Sequence, residues 1–162
     1  MLVVEQLKPR RHDREGFACG EPALDVYLRQ QAAQHHRDGI STTHVLVDNA
    51  DSARILGYYS LSAAQLLLTD LQQVDRKRLP NYPVPAIRMG RLAVVAGEQG
   101  RGHGEYLLAH AVARCLGLRE ELGVRVLLVD VLHEKAGRFY RAYGFREATA
   151  NSRTLYLPLG GR

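Results

Sequence analysis

The stretch that most restricts this chain runs from Leu92 to Arg114. Residues 92–95 form a short apolar run of the kind a buried strand uses. Gly97, Gly100, Gly102 and Gly104 follow within eight residues, with no β-branched side chain among them. Leu107, Leu108, Ala111, Val112 and Cys115 then recur at helical spacing. The predicted order is strand, glycine-rich turn, helix. Such a turn aims several backbone N–H groups at one point, and the helix dipole adds partial positive charge there. This is a site suited to phosphates. Glycines at 100, 102 and 104 remove Cβ atoms and let a ligand approach the backbone.

Two nucleotide-binding patterns fail here. Gly97 and Gly102 have Walker A spacing, but His103-Gly104 stands where Lys-Ser/Thr is needed. A dinucleotide fingerprint from Gly100 and Gly102 fails at Glu105, and no acidic partner closes a second strand.

A chain of 162 residues suits one domain, 1–162, with a substantial core. No apolar run is long enough to span a membrane, and residues 1–11 carry no secretion signal. Cys19 and Cys115 have neither metal spacing nor a disulfide framework around them, so no metal and a cytoplasmic location are expected. His35 and His36 read as solvated helix-end residues, because no third ligand sits at metal spacing. The formal charge of +5 suits a polyanionic partner, and equally an ordinary basic surface.

In chain order, residues 3–7 suit a short strand, and a helix is predicted from Pro22 to about His35. Residues 42–47 and 55–62 read as an antiparallel pair. The basic cluster Asp75-Arg-Lys-Arg78 is predicted as a loop. Three prolines exclude helix from 79–85, which leads into a central strand over 86–95. A helix follows from about 102 to 117 or 121, and then a strand over 124–132, apolar enough to be buried on both faces. Residues 134–143 form a helix capped by Gly144, and 145–147 and 153–159 a last strand pair.

Gln99-Gly-Arg-Gly-His-Gly104 resembles the Gln/Arg-x-x-Gly-x-Gly/Ala signature of the GNAT family of N-acetyltransferases. Ala136-Gly-Arg-Phe-Tyr-Arg-Ala-Tyr-Gly-Phe145 resembles the Ala-x-x-Phe-Tyr-x-x-x-Gly-Phe end of the same fold. The resemblance implies an α+β fold layered α/β/α, with a mixed, mostly antiparallel central sheet, a splayed pair of strands and flanking helices. It also implies acetyl-CoA as co-substrate. On this reading Gln99, Gly100, Arg101, Gly102, His103 and Gly104 cradle the pyrophosphate. Leu92, Ala93 and Val94 hold the pantetheine arm and thioester, with a backbone N–H near Val94 meeting the oxyanion. Phe139 lies against the cofactor, and Tyr140 points at its sulfur as general acid. A phenol suits that role, since it donates a proton at neutral pH without bringing charge.

From about Phe17 to Leu159 the chain resembles the TacT/AtaT-type toxin branch of this family. That likeness rests on Phe17-x-Cys-Gly-x-x-x-Leu-Asp-x-Tyr-Leu28, Thr43-His-Val45, Gly57-Tyr-Tyr-Ser-Leu61, Pro83-x-Pro85, Gly90-Arg-Leu-Ala-Val94 and the two motifs above. It implies acetylation of the amino group of aminoacyl-tRNA, which blocks translation. It also implies a homodimer neutralised by a ribbon-helix-helix antitoxin. Val95 to Glu98, His103 and Glu105 depart from the usual pattern, and no side chain stands out as the amine's base. A GNAT enzyme acting on a small amine or protein amino group, and a non-enzymatic binding module, are the alternatives. The intact turn and Tyr140 argue against the module. The basic residues Arg76, Lys77, Arg78, Arg88 and Arg91, the candidates for tRNA contact, favour a polyanionic acceptor.

Overall fold

In the computed structural model, which describes residues 1–160, seven strands form one sheet in the order β1-β2-β3-β4-β5-β7-β6. The last two residues of the expected 1–162 domain lie outside the described residues. The strands are β1 (Leu2–Gln6), β2 (Thr42–Asp48), β3 (Gly57–Leu66), β4 (Val84–Val94), β5 (Val126–Asp130), β6 (Arg146–Glu147) and β7 (Thr154–Pro158). Antiparallel pairs join β1 to β2, β2 to β3, β5 to β7 and β6 to β7, whereas β4 and β5 run parallel. The sheet is thus mixed and mostly antiparallel, as expected. The helices are α1 (Pro22–Val26), α2 (Ala32–Arg37), α3 (Gln73–Arg76), α4 (His103–Leu118) and α5 (Glu134–Ala142).

The chain divides into two compact units. One comprises Met1–Ser62 with Gly90–Ala111, the other Ala63–Met89 with the chain from Val112 onward. In the first, β-branched and aromatic residues of β2 and β3 pair in the register Thr43↔Ser60 and Val45↔Tyr58. Phe17, Tyr27, Leu28, Val45, Val47, Tyr58 and Ala93 form its core. Gly57 has a packing reason to lack a side chain. A Cβ there would meet the Ala93 carbonyl oxygen at 2.7 Å and Leu107 Cδ1 at 2.8 Å. In the second unit, Leu66, Leu71, Val84, Ala86, Val126, Leu128 and Tyr156 pack together. The recorded register of β4 with β5 covers Ala86 to Arg88, three residues of an eleven-residue strand.

Three local expectations change. The helix predicted from Pro22 contains a π-helical turn, Tyr27–Gln31, in which Ala32 N–H donates to the Tyr27 carbonyl. Asp75 and Arg76, the first half of the cluster expected as loop, belong to one helical turn, Gln73–Arg76. Tyr156 causes this: its hydroxyl accepts from Gln72 N–H at 2.8 Å and donates to Asp75, which also receives Arg146. The last strand pair is short, because β6 has only two residues.

Candidate functional site

In the first unit, β4 delivers the chain to a tightly held turn. Val95 N–H donates to Leu56 O and Ala96 N–H to Ala18 O, each at 2.8 Å. A 3₁₀ turn, Ala96–Glu98, follows. The Gln99 side chain then bridges two backbone carbonyls, Cys19 O and Val94 O, each at 2.9 Å. It therefore ties the start of the turn to the end of β4. Gly100 and Gly102 both take φ of 83°, a region costly for any residue with a Cβ. At neither would a Cβ meet an atom within 4 Å, so the space beside both is open. α4 starts at His103, and its bonding reaches back with Tyr106 N–H on Gly102 O at 3.0 Å. The N–H groups of the first turn have no intrahelical acceptor.

Glu98 is a carboxylate beside this turn that would repel an anion, and basic side chains neutralise it. His103 Nε2 lies 3.2 Å from its Oε1, Arg101 at 3.4 Å, and Arg54 at 3.6 Å from its other oxygen. The hydrogen bond from His103 does most to hold the Glu98 carboxyl below its ordinary pKa. His103 is itself buried. The sequence reading placed His103 in the pyrophosphate cradle; its pairing with Glu98 was not readable from either residue.

In the second unit, α5 begins at the His133 cap, whose Nδ1 accepts from Ala136 N–H at 3.2 Å. It ends at Ala142, and Gly144, with φ of 94°, follows its C-cap. Tyr140 is 8% exposed, wedged edge-on between Phe139 and Phe145 at 5.1 and 5.2 Å. Burial alone pushes its phenol well above the ordinary tyrosine pKa, so it stays protonated. No described residue hydrogen-bonds its hydroxyl. Tyr143, by contrast, is half exposed.

The basic candidates fall into different circumstances. Lys77 and Arg78 are exposed, and Arg78 takes a positive φ of 67°. Arg76 is half-buried at the end of α3. Arg88 is ion-paired with Asp130. Arg91 sits over the ring of Tyr27. The first unit gathers Leu92, Ala93, Val94, Gln99 to Gly104 and Arg91; Phe139, Tyr140, Arg76 to Arg78 and Arg88 belong to the second. Among the described residues no group of three or more His, Cys, Asp or Glu side chains is arranged to hold a metal ion. No described helix is long and apolar enough to cross a membrane.

An acetyltransferase (GNAT) domain model matches residues 41–147. The chain belongs to the GNAT acetyltransferase family. It is 38% identical over 153 residues to a tRNA-acetylating toxin of Mycobacterium tuberculosis, covering 92% of this chain and 90% of that protein. It is similar to AtaT complexed with acetyl-methionyl-tRNAfMet, with a TM-score of 0.91 and 31% identity over 98% of this chain and 95% of that one. It is also similar to a tyrosine-to-phenylalanine mutant of AtaT bound to the C-terminus of the antitoxin AtaR and acetyl-CoA. There the TM-score is 0.82 and the identity 29%, over 98% and 93% of the two chains. For this acetyltransferase, an open glycine turn at a helix N-terminus is the feature in the first unit that fits a pyrophosphate.

Proposed function

We propose that this chain is an acetyl-CoA-dependent N-acetyltransferase toxin that acetylates the amino group of aminoacyl-tRNA and so blocks translation. The observation that carries the reading is the turn at Gly100 and Gly102, open beside both glycines, in a chain similar along nearly its whole length to a tRNA-acetylating toxin. Bound acetyl-CoA supplies an acetyl thioester already activated toward an amine. Backbone N–H groups from Gly100 to Gly104 hold the pyrophosphate, with Gln99 fixing the turn and Arg101 and His103 compensating Glu98. Leu92, Ala93 and Val94 offer backbone groups to the pantetheine arm, and Phe139 an apolar contact. The new N–C bond forms as the C–S bond breaks. The Tyr140 hydroxyl gives its proton to the departing sulfur and regains one from solvent. Solvent also takes the proton lost by the amine, so no side chain is assigned as base.

Phosphate contacts come from Arg76, Lys77, Arg78 and Arg91. Arg88 contributes less because Asp130 already compensates it. The 1–162 chain acts as one N-acetyltransferase domain, in a cytoplasmic homodimer neutralised by a ribbon-helix-helix antitoxin. The similarity to an AtaT structure that holds its antitoxin's C-terminus supports the antitoxin part. The discriminating test compares kcat/KM for charged tRNA with that for free amino acids, small amines and peptide N-termini. A preference for charged tRNA of several orders of magnitude is expected. A preference for a small amine or a peptide would replace this reading with that of a small-amine or protein acetyltransferase.

A further inference from the structure

Arg91 stands apart from the other basic residues of β4. Its guanidinium carbon lies 3.5 Å from the centroid of the Tyr27 ring. Tyr27 is 2% exposed, and its hydroxyl is held from two sides, by His35 Nδ1 at 3.0 Å and Ser41 Oγ at 2.6 Å. His35 also packs edge-on against the ring, centroids 5.3 Å apart. Tyr27 opens the π-helical turn, Tyr27–Gln31, between α1 and α2. Arg88 is paired with Asp130, but no described carboxylate lies within ion-pair distance of Arg91. A guanidinium stacked on a ring keeps its N–H donors in its own plane, open to a planar or tetrahedral anion. Because the ring already fixes the side chain, little freedom is lost when an anion binds.

We propose that Arg91, seated on Tyr27, is a phosphate anchor for the acceptor substrate. Tyr27 is its positioning residue, and His35 and Ser41 hold Tyr27 in turn. The inference rests on the aminoacyl-tRNA reading and adds to it a residue that touches no substrate. Its chemistry is recognition of a phosphodiester, and acetyl-CoA carries phosphates too, so the experiment must separate the two sources.

The test is steady-state kinetics with charged tRNA at several salt concentrations, alongside calorimetric acetyl-CoA affinity and a melting curve for each variant. Arg91→Gln is expected to raise the KM for charged tRNA about tenfold, as for loss of one charged hydrogen-bonded contact. It should also flatten the slope of log KM against log salt by about one. kcat at saturating tRNA and acetyl-CoA affinity should change little. Tyr27→Phe keeps the ring but frees it from His35 and Ser41, so it should raise the KM less than Tyr27→Leu, which removes the ring. In the Arg91→Gln background, Tyr27→Leu should add nothing, because the group it positions is gone. If Tyr27→Leu does not fold, Arg91→Lys carries the test: a stacked anchor gives a KM between those of wild type and Arg91→Gln, and a simple point charge gives the wild-type value. An unchanged KM in Arg91→Gln, equal Tyr27→Leu effects in both backgrounds, or loss of acetyl-CoA affinity instead would each overturn the proposal. Failure of the wild-type protein to acetylate any charged tRNA would defeat the functional reading itself.

Discussion

Tyr140 is held by aromatic neighbours on two sides and offers a hydroxyl that no described residue hydrogen-bonds. Tyr140→Phe removes only that proton and leaves the ring packed. The variant is expected to melt like wild type and bind acetyl-CoA normally, while acetyl transfer falls about 10²–10⁴-fold. Single-turnover rates and calorimetry check this, and wild-type chemistry in the variant would take Tyr140 out of the role. At this scale the sequence was legible where conformation follows a local pattern, as at Gly100, Gly102 and Gly144, which take the positive φ that their glycines permit. It was not legible where a side chain is decided by a distant partner. Arg88 and Arg91 read alike as basic residues of one strand, yet Asp130 compensates the first and Tyr27 supports the second. Nothing local in the sequence signals either contact.

Among elements, the turn between β4 and α4 yields two separable expectations. Gly102→Val must adopt a left-handed φ, at a cost of roughly 1–2 kcal/mol, but its Cβ meets no protein atom within 4 Å. It should therefore fold and lose acetyl-CoA binding, because the new side chain fills the space beside the turn; unchanged affinity by calorimetry would mean that this turn holds no phosphate. Gly57→Ala behaves oppositely. Its Cβ meets the Ala93 carbonyl and Leu107 at once, so denaturant unfolding should report about 1–3 kcal/mol of lost stability. An unaltered denaturation midpoint would show that β4 and α4 can give way there. Element order was readable because apolar runs, glycines and prolines mark boundaries locally. The π-helical turn at Tyr27–Gln31 was not, since its residues keep an ordinary helical pattern. The α3 turn was missed because Tyr156, far along the chain, satisfies its first N–H and its acid.

For the whole molecule, several buried acids set its response to alkali. Burial pushes the Cys19 and Cys115 thiols up to about 11 from 9.0 and raises Tyr58 and Tyr140 as well; for Tyr156, burial and then the bond to Asp75 push the phenol up to about 12. Above pH 9 the unfolded chain releases thiol protons that the folded chain retains. Fewer protons bound in the unfolded state mean stability falls as pH rises. The thiol contribution is complete below pH 9 and lost between about 9 and 11, with the tyrosines extending the fall to higher pH. A Tm that drops steadily from pH 8.5 to 11 is expected, and a flat Tm would contradict the burial of these groups. The net charge of +5 bears on the same molecule's partners, since it favours association with a polyanion such as tRNA. The central claim is tested most directly by incubating the protein with labelled acetyl-CoA and total charged tRNA, then releasing and identifying the labelled group. Label recovered as N-acetyl-amino acid from charged tRNA, with none on deacylated tRNA, is the expected result. Label absent from every aminoacyl group, from a protein that still binds acetyl-CoA, would contradict it.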